Sequence, residues 1–348
     1  MSSSKTKSRL YSGQRPASIK DIARLAGVSH STVSRALHNS PLVQSETLEA
    51  IQRIARDVGY RASAVARGLV TRKTRTIGVV VTTVTDPWVG EVLSAIELAA
   101  NDHGYAVFLA DSNADPAREK SVVQSFAERR VDGIVVTSSR VGALHTPMLS
   151  ELMVPIVLIN NQHPGEFVHS VMIENLQASR TATGHLTGLG HRRIGYVGDR
   201  FGHHSDAERF AGYREALEAA GAPFLPELVV HGDGKPEGGT AAVNQLLDLP
   251  EPPTAVFCYN DMTALGALRA IRGRGLGVPA DISLVGFDDL FFASYTQPPL
   301  TTVRQPRRKM GRMALESLLK LMSGKEPAET IKVPAELIVR ESTAKSRR

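Results

Sequence analysis

From Thr76 onward, short runs rich in Val, Ile and Leu alternate with longer amphipathic stretches, and this alternation restricts the possible folds more than any other feature of the chain. The apolar runs are residues 77–81, 106–110, 133–137 and 155–159, then a second series at 194–197, 228–230, 255–259 and 282–286. Helix-like segments lie between them at 88–103, 117–129, 178–189, 207–220, 240–247 and 262–274. Short apolar runs bounded by helices read as strands covered on both faces, which pair in parallel through right-handed crossovers. The expected body is two successive doubly wound parallel-sheet lobes. A further helix at 307–322 and a late strand run at 331–339 follow.

Before Thr76 the pattern is helical punctuation without strands. Ser18, with Asp21 three positions on, reads as a capping box; Ile22, Ala23 and Ala26 follow at helical spacing, and Gly27 ends the helix. Ser29 then caps a short second helix whose apolar side is Val33, Ala36 and Leu37. A third helix is expected at 46–58, capped by Ser45, with Leu48, Ile51, Ala55 and Val58 in one stripe and Gly59 after its end. Residues 60–75 place Ala64, Val65, Ala66 and Leu69 at helix-compatible spacing. Segments under ~12 residues are marginal helices in water, so helicity there depends on a partner.

Charge divides the chain at the same point. Up to Arg75, fourteen Lys and Arg stand against four Asp and Glu, whereas the remainder has 27 against 31, so the formal net charge of +6 conceals a cationic head on a mildly acidic body. Such a head is either a solvated basic segment or one that meets a polyanion, where each Lys or Arg at a phosphate releases a condensed counterion. The one cysteine, Cys258, allows no intramolecular disulfide, and residues 1–17 are polar and basic without a signal-peptide core. No apolar run approaches the ~18 residues of a membrane span. The expected compartment is cytoplasmic, with no membrane partner.

Residues 19–38 have the mechanics of a helix-turn-helix. Ala23 permits close crossing, Gly27 supplies the turn, and Val28 and Val33 bury between the helices. The second helix is left with His30, Ser31, Ser34 and Arg35 facing outward, all able to bond base edges or phosphates. A helical hairpin with a polar face is the alternative, and the cationic head argues against it.

These residues resemble the DNA-binding head of the lactose/galactose repressor (LacI/GalR) family, in Asp21-Ile22-Ala23, Val28-Ser29, Thr32-Val33-Ser34-Arg35 and Gly59-Tyr60. The likeness continues through Val131-Asp132-Gly133-Ile134, Gly190-His191-Arg192-Arg193-Ile194-Gly195, Asn260-Asp261 and Gly286-Phe287-Asp288, covering roughly residues 18–343. The resemblance implies a transcription regulator, expected to be a repressor, acting as a homodimer or dimer of dimers on a pseudo-palindromic double-stranded DNA operator, with a periplasmic-binding-protein-like body that holds a small effector between its lobes. Base reading is implied for His30, Ser31 and Arg35, with Thr32 and Ser34 as phosphate or supporting contacts. A hinge helix is implied from Ser63, with Ala66 approaching the minor groove and Leu69 wedged into the operator centre. Many family members have Pro before the hinge serine; this chain has Ala62. The implied segments are a tail at 1–17, the head at 18–62, the hinge and linker at 63–75, one lobe at 76–160 plus 305–327, and the other at 161–304 plus 328–344.

In doubly wound lobes, ligands lie at the carboxyl ends of the strands. Trp88, the single tryptophan, follows the first strand and reads either as a core side chain or as a flat face for a ring. The resemblance favours the second and places His203, Ser205, Arg209, Asn260 and Asp288 at effector-contacting positions. Gly234 stands where purine-responsive relatives carry an aromatic residue, and Asn160 and Glu174 where several carry Asp. Arg209, Asn260 and Asp288 suit vicinal hydroxyls, so a carbohydrate is the expected effector and a purine or other metabolite the alternative. His203-His204 reads as a loop pair without metal-ligand spacing, and no cofactor is expected.

Enzyme signatures are missing from the sequence: no G-x-S-x-G, H-E-x-x-H or paired cysteines occur. Gly234-Lys235 and Gly324-Lys325 are followed by Pro236 and Glu326, where a phosphate-binding loop needs Ser or Thr. Cys258 lies in an apolar run that favours an inert thiol. A sugar-processing enzyme with an appended DNA-binding head is the remaining alternative.

Overall fold

The computed structural model describes residues 17–37, 39–60, 73–139, 141, 154–162, 169–325 and 330–347. The chain forms two compact units, Met1–Thr74 and Arg75–Arg348. Residues 1–16 of the expected tail, and Ser63, Ala66 and Leu69 of the expected hinge, lie outside the described residues.

The head contains α1 (Ile19–Ala26), α2 (His30–Leu37) and α3 (Ser45–Asp57). The capping box forms as expected: the Asp21 carboxylate accepts from the Ser18 amide at 2.9 Å while the Ser18 hydroxyl accepts from the Asp21 amide at 3.4 Å. Gly27 ends α1 at φ 65°, a conformation that Gly adopts without a Cβ penalty. The Ser29 hydroxyl accepts from the Thr32 amide at 3.1 Å, capping α2. Ser45 departs from expectation. Gln44 occupies the capping position without a side-chain bond, because its carbonyl already accepts from the Leu48 amide at 2.9 Å and starts the helical ladder there. Ile22, Ala23, Val33, Ala36, Ile51 and Ala55 form the small core.

The body contains two six-stranded sheets. The first is built from β1 (Thr76–Val81), β2 (Ala106–Asp111), β3 (Gly133–Thr137), β4 (Ile156–Ile159), β5 (Ser170–Ile173) and β11 (Thr330–Val333), in the order β11-β5-β4-β3-β1-β2. The second is built from β6 (Ile194–Asp199), β7 (Val229–Gly232), β8 (Ala255–Cys258), β9 (Ser283–Asp288), β10 (Thr301–Arg304) and β12 (Glu336–Ile338), in the order β12-β10-β9-β8-β6-β7. All pairings are parallel except β10 with β12. The covering helices are α4 (Pro87–Asp102), α5 (Pro116–Glu128), α6 (Asn175–Gly188), α7 (His204–Ala219), α8 (Pro236–Leu247), α9 (Asp261–Gly273) and α10 (Arg307–Met322).

Three expectations about the body need correction. Strands β5 and β10 are not among the expected runs: β5 is SVMI, apolar but only four residues long, and β10 carries too little apolar signal. β10 is TTVR, and its buried threonines are satisfied by hydroxyl partners: Thr302 donates to Asp261 at 2.6 Å. The late run at 331–339 is two strands in different sheets, broken at Pro334, which cannot donate to a ladder. Because β5 and β11 belong to the first sheet, the first lobe runs past residue 160 to Ile173 and includes Val333, so the boundaries at 161 and 328 are misplaced.

Helix pairs cross where side chains are absent. A Cβ on Gly212 of α7 would lie 2.2 Å from the Leu176 carbonyl of α6, and one on Gly266 of α9 would lie 2.0 Å from the Pro236 carbonyl of α8.

Candidate functional site

On the head, folding consumes the apolar positions of α2 and leaves His30, Ser31 and Arg35 exposed, with Thr32 and Ser34 half-buried. The Ser29 hydroxyl bonds those of Ser31 at 2.7 Å and Thr32 at 2.9 Å, which fixes the start of the helix. No acidic residue lies in its first turn, and Arg35 lies in its last.

In the body, each sheet reverses strand order beside its first strand, so each lobe has a switch point between β1 and β3 or between β6 and β8. Loops from both points border one cavity of about 690 Å³. Asp86, Pro87 and Trp88 follow β1, and Ser138 follows β3. Asp199 ends β6 and His203 follows it, Tyr259 and Asn260 follow β8, and Asp288 ends β9. Trp88, His203, Ser205, Arg209, Asn260 and Asp288 all line it, as do Gly234 and Asn160; Glu174 is exposed elsewhere, at the start of α6.

Trp88 is at once a buried side chain and part of the cavity lining. Asp86 caps α4 by accepting from the Trp88 amide at 2.9 Å, with Pro87 pre-set for the first helical position. The indole is only 6% exposed yet borders the cavity, and its Nε1 donates to Gln305 Oε1 at 3.1 Å. Gln305 Nε2 donates in turn to Asp288 Oδ1 at 2.5 Å. One buried amide thus joins an aromatic wall of the first lobe to a carboxylate of the second. Burial pushes the Asp288 carboxyl up to about 7, against the pull of Arg209 and Arg307. Burial also raises Asp86, opposed by its bond from Trp88 and by Arg307.

Arg209 is 4% exposed and held in one pose. Its Nε donates to Asn175 Oδ1 at 3.0 Å and its Nη1 to the Tyr259 carbonyl at 2.6 Å, while the guanidinium lies 3.6 Å from the Phe287 ring centre. Ser205 donates its amide to Gln162 Oε1 at 3.2 Å and shares a 3.1 Å hydrogen bond with the Tyr259 hydroxyl, so a residue following β4 touches the start of α7. Asn260 caps α9 by accepting from Thr263 and donates to the Gly234 carbonyl, both at or under 3.0 Å. Its amide therefore shapes the cavity wall as well as facing it. His203 and His204 are not a loop pair. They open α7, and His203 Nδ1 lies 2.7 Å from Asp199 Oδ2. Among the described residues no cluster of His, Cys, Asp and Glu could hold a metal.

Sequence reasoning missed Gln162, Gln305 and Asp86. Asp86-Pro87 carried a helix-start signal. The glutamines carried none, since their roles depend on partners far away in sequence.

The family model described as "Bacterial regulatory proteins, lacI family" matches residues 18–63, and the one described as "Periplasmic binding protein-like domain" matches residues 183–343. The HTH-type transcriptional repressor CytR of Escherichia coli (strain K12) is 37% identical over 328 residues, 94% of this chain and 96% of the relative. A transcriptional regulator CelR–cellobiose complex superposes with TM-score 0.71 at 32% identity, covering 94% of this chain and 99% of the other. The lac repressor dimer bound to operator and the anti-inducer ONPF superposes with TM-score 0.86 at 27% identity, covering 95% and 100%.

A helix-turn-helix head with a two-lobed body around a cleft defines a DNA-binding regulator controlled by a small molecule, and not an enzyme. The chain belongs to the LacI family of bacterial regulatory proteins and is a DNA-binding transcriptional repressor with an effector-binding body.

Proposed function

We propose that the effector is a sugar or sugar derivative, held in the cavity between the lobes by Trp88, His203, Ser205, Arg209, Asn260 and Asp288. The convergence of these side chains on one cavity, from both switch points, carries the reading. A pyranose presents an apolar face that suits a single indole and hydroxyls that both donate and accept, matching fixed amide, guanidinium and carboxylate partners. The similarity to a regulator solved with cellobiose supports the same class. Isothermal titration against mono- and disaccharides, with nucleosides in parallel, tests it: a saccharide binds and Arg209→Ala abolishes the binding. A nucleoside binding where no saccharide does overturns the sugar reading.

On this reading His30, Ser31 and Arg35 contact base edges, Thr32 and Ser34 support or meet phosphates, and Ser63, Ala66 and Leu69 are assigned to the minor groove. The regulator acts in the cytoplasm as a homodimer. Phe108 and Leu109 of the edge strand β2, Leu98 of α4, and Phe291 and Tyr295, 72% and 83% exposed, are apolar surface that a second copy covers. Effector binding moves the lobes and so alters how two heads span a pseudo-palindrome.

A further inference from the structure

We propose that the cleft is a charge filter: its effector is uncharged, and the phosphorylated counterpart of the same molecule is rejected. The inference rests on the reading of the cavity as the effector site and narrows its chemistry.

Five carboxylates border the cavity, those of Asp86, Asp199, Asp233, Glu237 and Asp288, against the cations Arg209 and Lys235. Glu237 and Lys235 are exposed and offset each other at the mouth. Asp199 is committed to His203, to its amide at 3.3 Å and to the Phe201 amide at 3.2 Å, and Asp233 pairs with Arg200 at 3.7 Å. Asp86 and Asp288 remain inside. Arg209, the deep cation, already spends Nε and Nη1 on Asn175 and Tyr259.

The starts of α4, α7, α8 and α9 also border the cavity, and helix N-termini ordinarily attract anions. Here each start has at least one of its donors bound or missing, although no side chain caps α8. Asp86 and Asn260 cap α4 and α9 with their own side chains, Pro87 and Pro236 begin α4 and α8 without an N–H, and the Ser205 amide of α7 is bound by Gln162. The lining is therefore rich in acceptors. A neutral polyol supplies hydroxyl donors to the carboxylates, whereas a phosphate is itself acceptor-only and brings like charge into a partly enclosed site.

Matched pairs test the proposal on the full chain: glucose and glucose 6-phosphate, cellobiose and cellobiose 6-phosphate, adenosine and adenosine 5′-phosphate. Binding is read at a pH roughly one unit above the Asp288 value of about 7, where that carboxyl is ionised, by calorimetry and by the fluorescence of Trp88, the single tryptophan. The neutral member of a binding pair is expected to bind at least ~10-fold more tightly, about 1.4 kcal/mol. Asp86→Asn and Asp288→Asn keep the cap and the bond from Gln305 while removing charge, so each narrows the ratio. A phosphate that binds wild type as tightly as its neutral partner, or ratios that neither variant changes, overturns the filter. If no member of any pair gives heat or moves the fluorescence, the effector-site reading falls and takes the filter with it.

Discussion

Gln305 is the residue on which both walls of the cleft depend, because its amide has one acceptor for the Trp88 indole and one donor for Asp288. Gln305→Leu leaves a buried donor and a buried carboxylate without that partner, at a cost of ~1–3 kcal/mol each. The expected result is a lower melting temperature together with a shifted Trp88 emission; an unchanged emission spectrum would show that the indole is held by other means. Asp288 makes a pH prediction. Its folded pKa lies above the ordinary carboxylate value, so the native state holds a proton that the unfolded chain has lost. Stability from this group is full below about 4 and declines as pH rises toward 7, with a slope on the order of 1 kcal/mol per pH unit. Asp288→Asn should flatten that part of a melting-temperature profile. On the head, Arg35→Ala should relax preference at one operator position by ~1–3 kcal/mol in a binding assay over operator variants, and weaken all sequences equally if Arg35 touches only phosphate.

At the scale of elements, the helix crossings are the most exacting contacts. Gly266→Ala brings a Cβ to 2.0 Å from a backbone carbonyl, which cannot rotate away, so α8 and α9 must separate. A loss of ~1–3 kcal/mol in urea unfolding is expected, with helix content retained. Gly27 and Gly59 contrast with it, since their positive φ is set by local turn geometry and not by a neighbour. Helix starts such as Ser18 and turn glycines were legible for that reason. Strand β10 was not, because a buried strand that opens on two threonines looks polar until the partners that satisfy their hydroxyls are known.

For the whole molecule, the division between cationic head and acidic body separates two binding equilibria. Removing residues 1–74 should abolish operator binding while leaving effector affinity within about twofold, measured by calorimetry in the absence of DNA; a large loss of effector affinity would place part of the cleft's support in the head. Operator affinity should fall steeply with salt, each phosphate contact contributing a slope of about −0.9. Linkage requires that the factor by which effector changes operator affinity equal the factor by which operator changes effector affinity, commonly ~5–150-fold.

The sequence by itself determined the alternating strands and helices, the capped three-helix head, the uneven charge and six side chains that reach the cavity. The first three follow from local spacing and turn chemistry, whereas the cavity side chains were placed by the resemblance to the LacI/GalR family, with Trp88 marked also as the single tryptophan. Only the tertiary structure decided which strands crossed between lobes, that Gln162 and Gln305 complete the cleft, and that four helix starts face it, each with a donor bound or missing. The physical reason is range. Residues separated by tens or hundreds of positions become hydrogen-bond partners only after both sheets have formed, and no local pattern in the chain records which of them will meet.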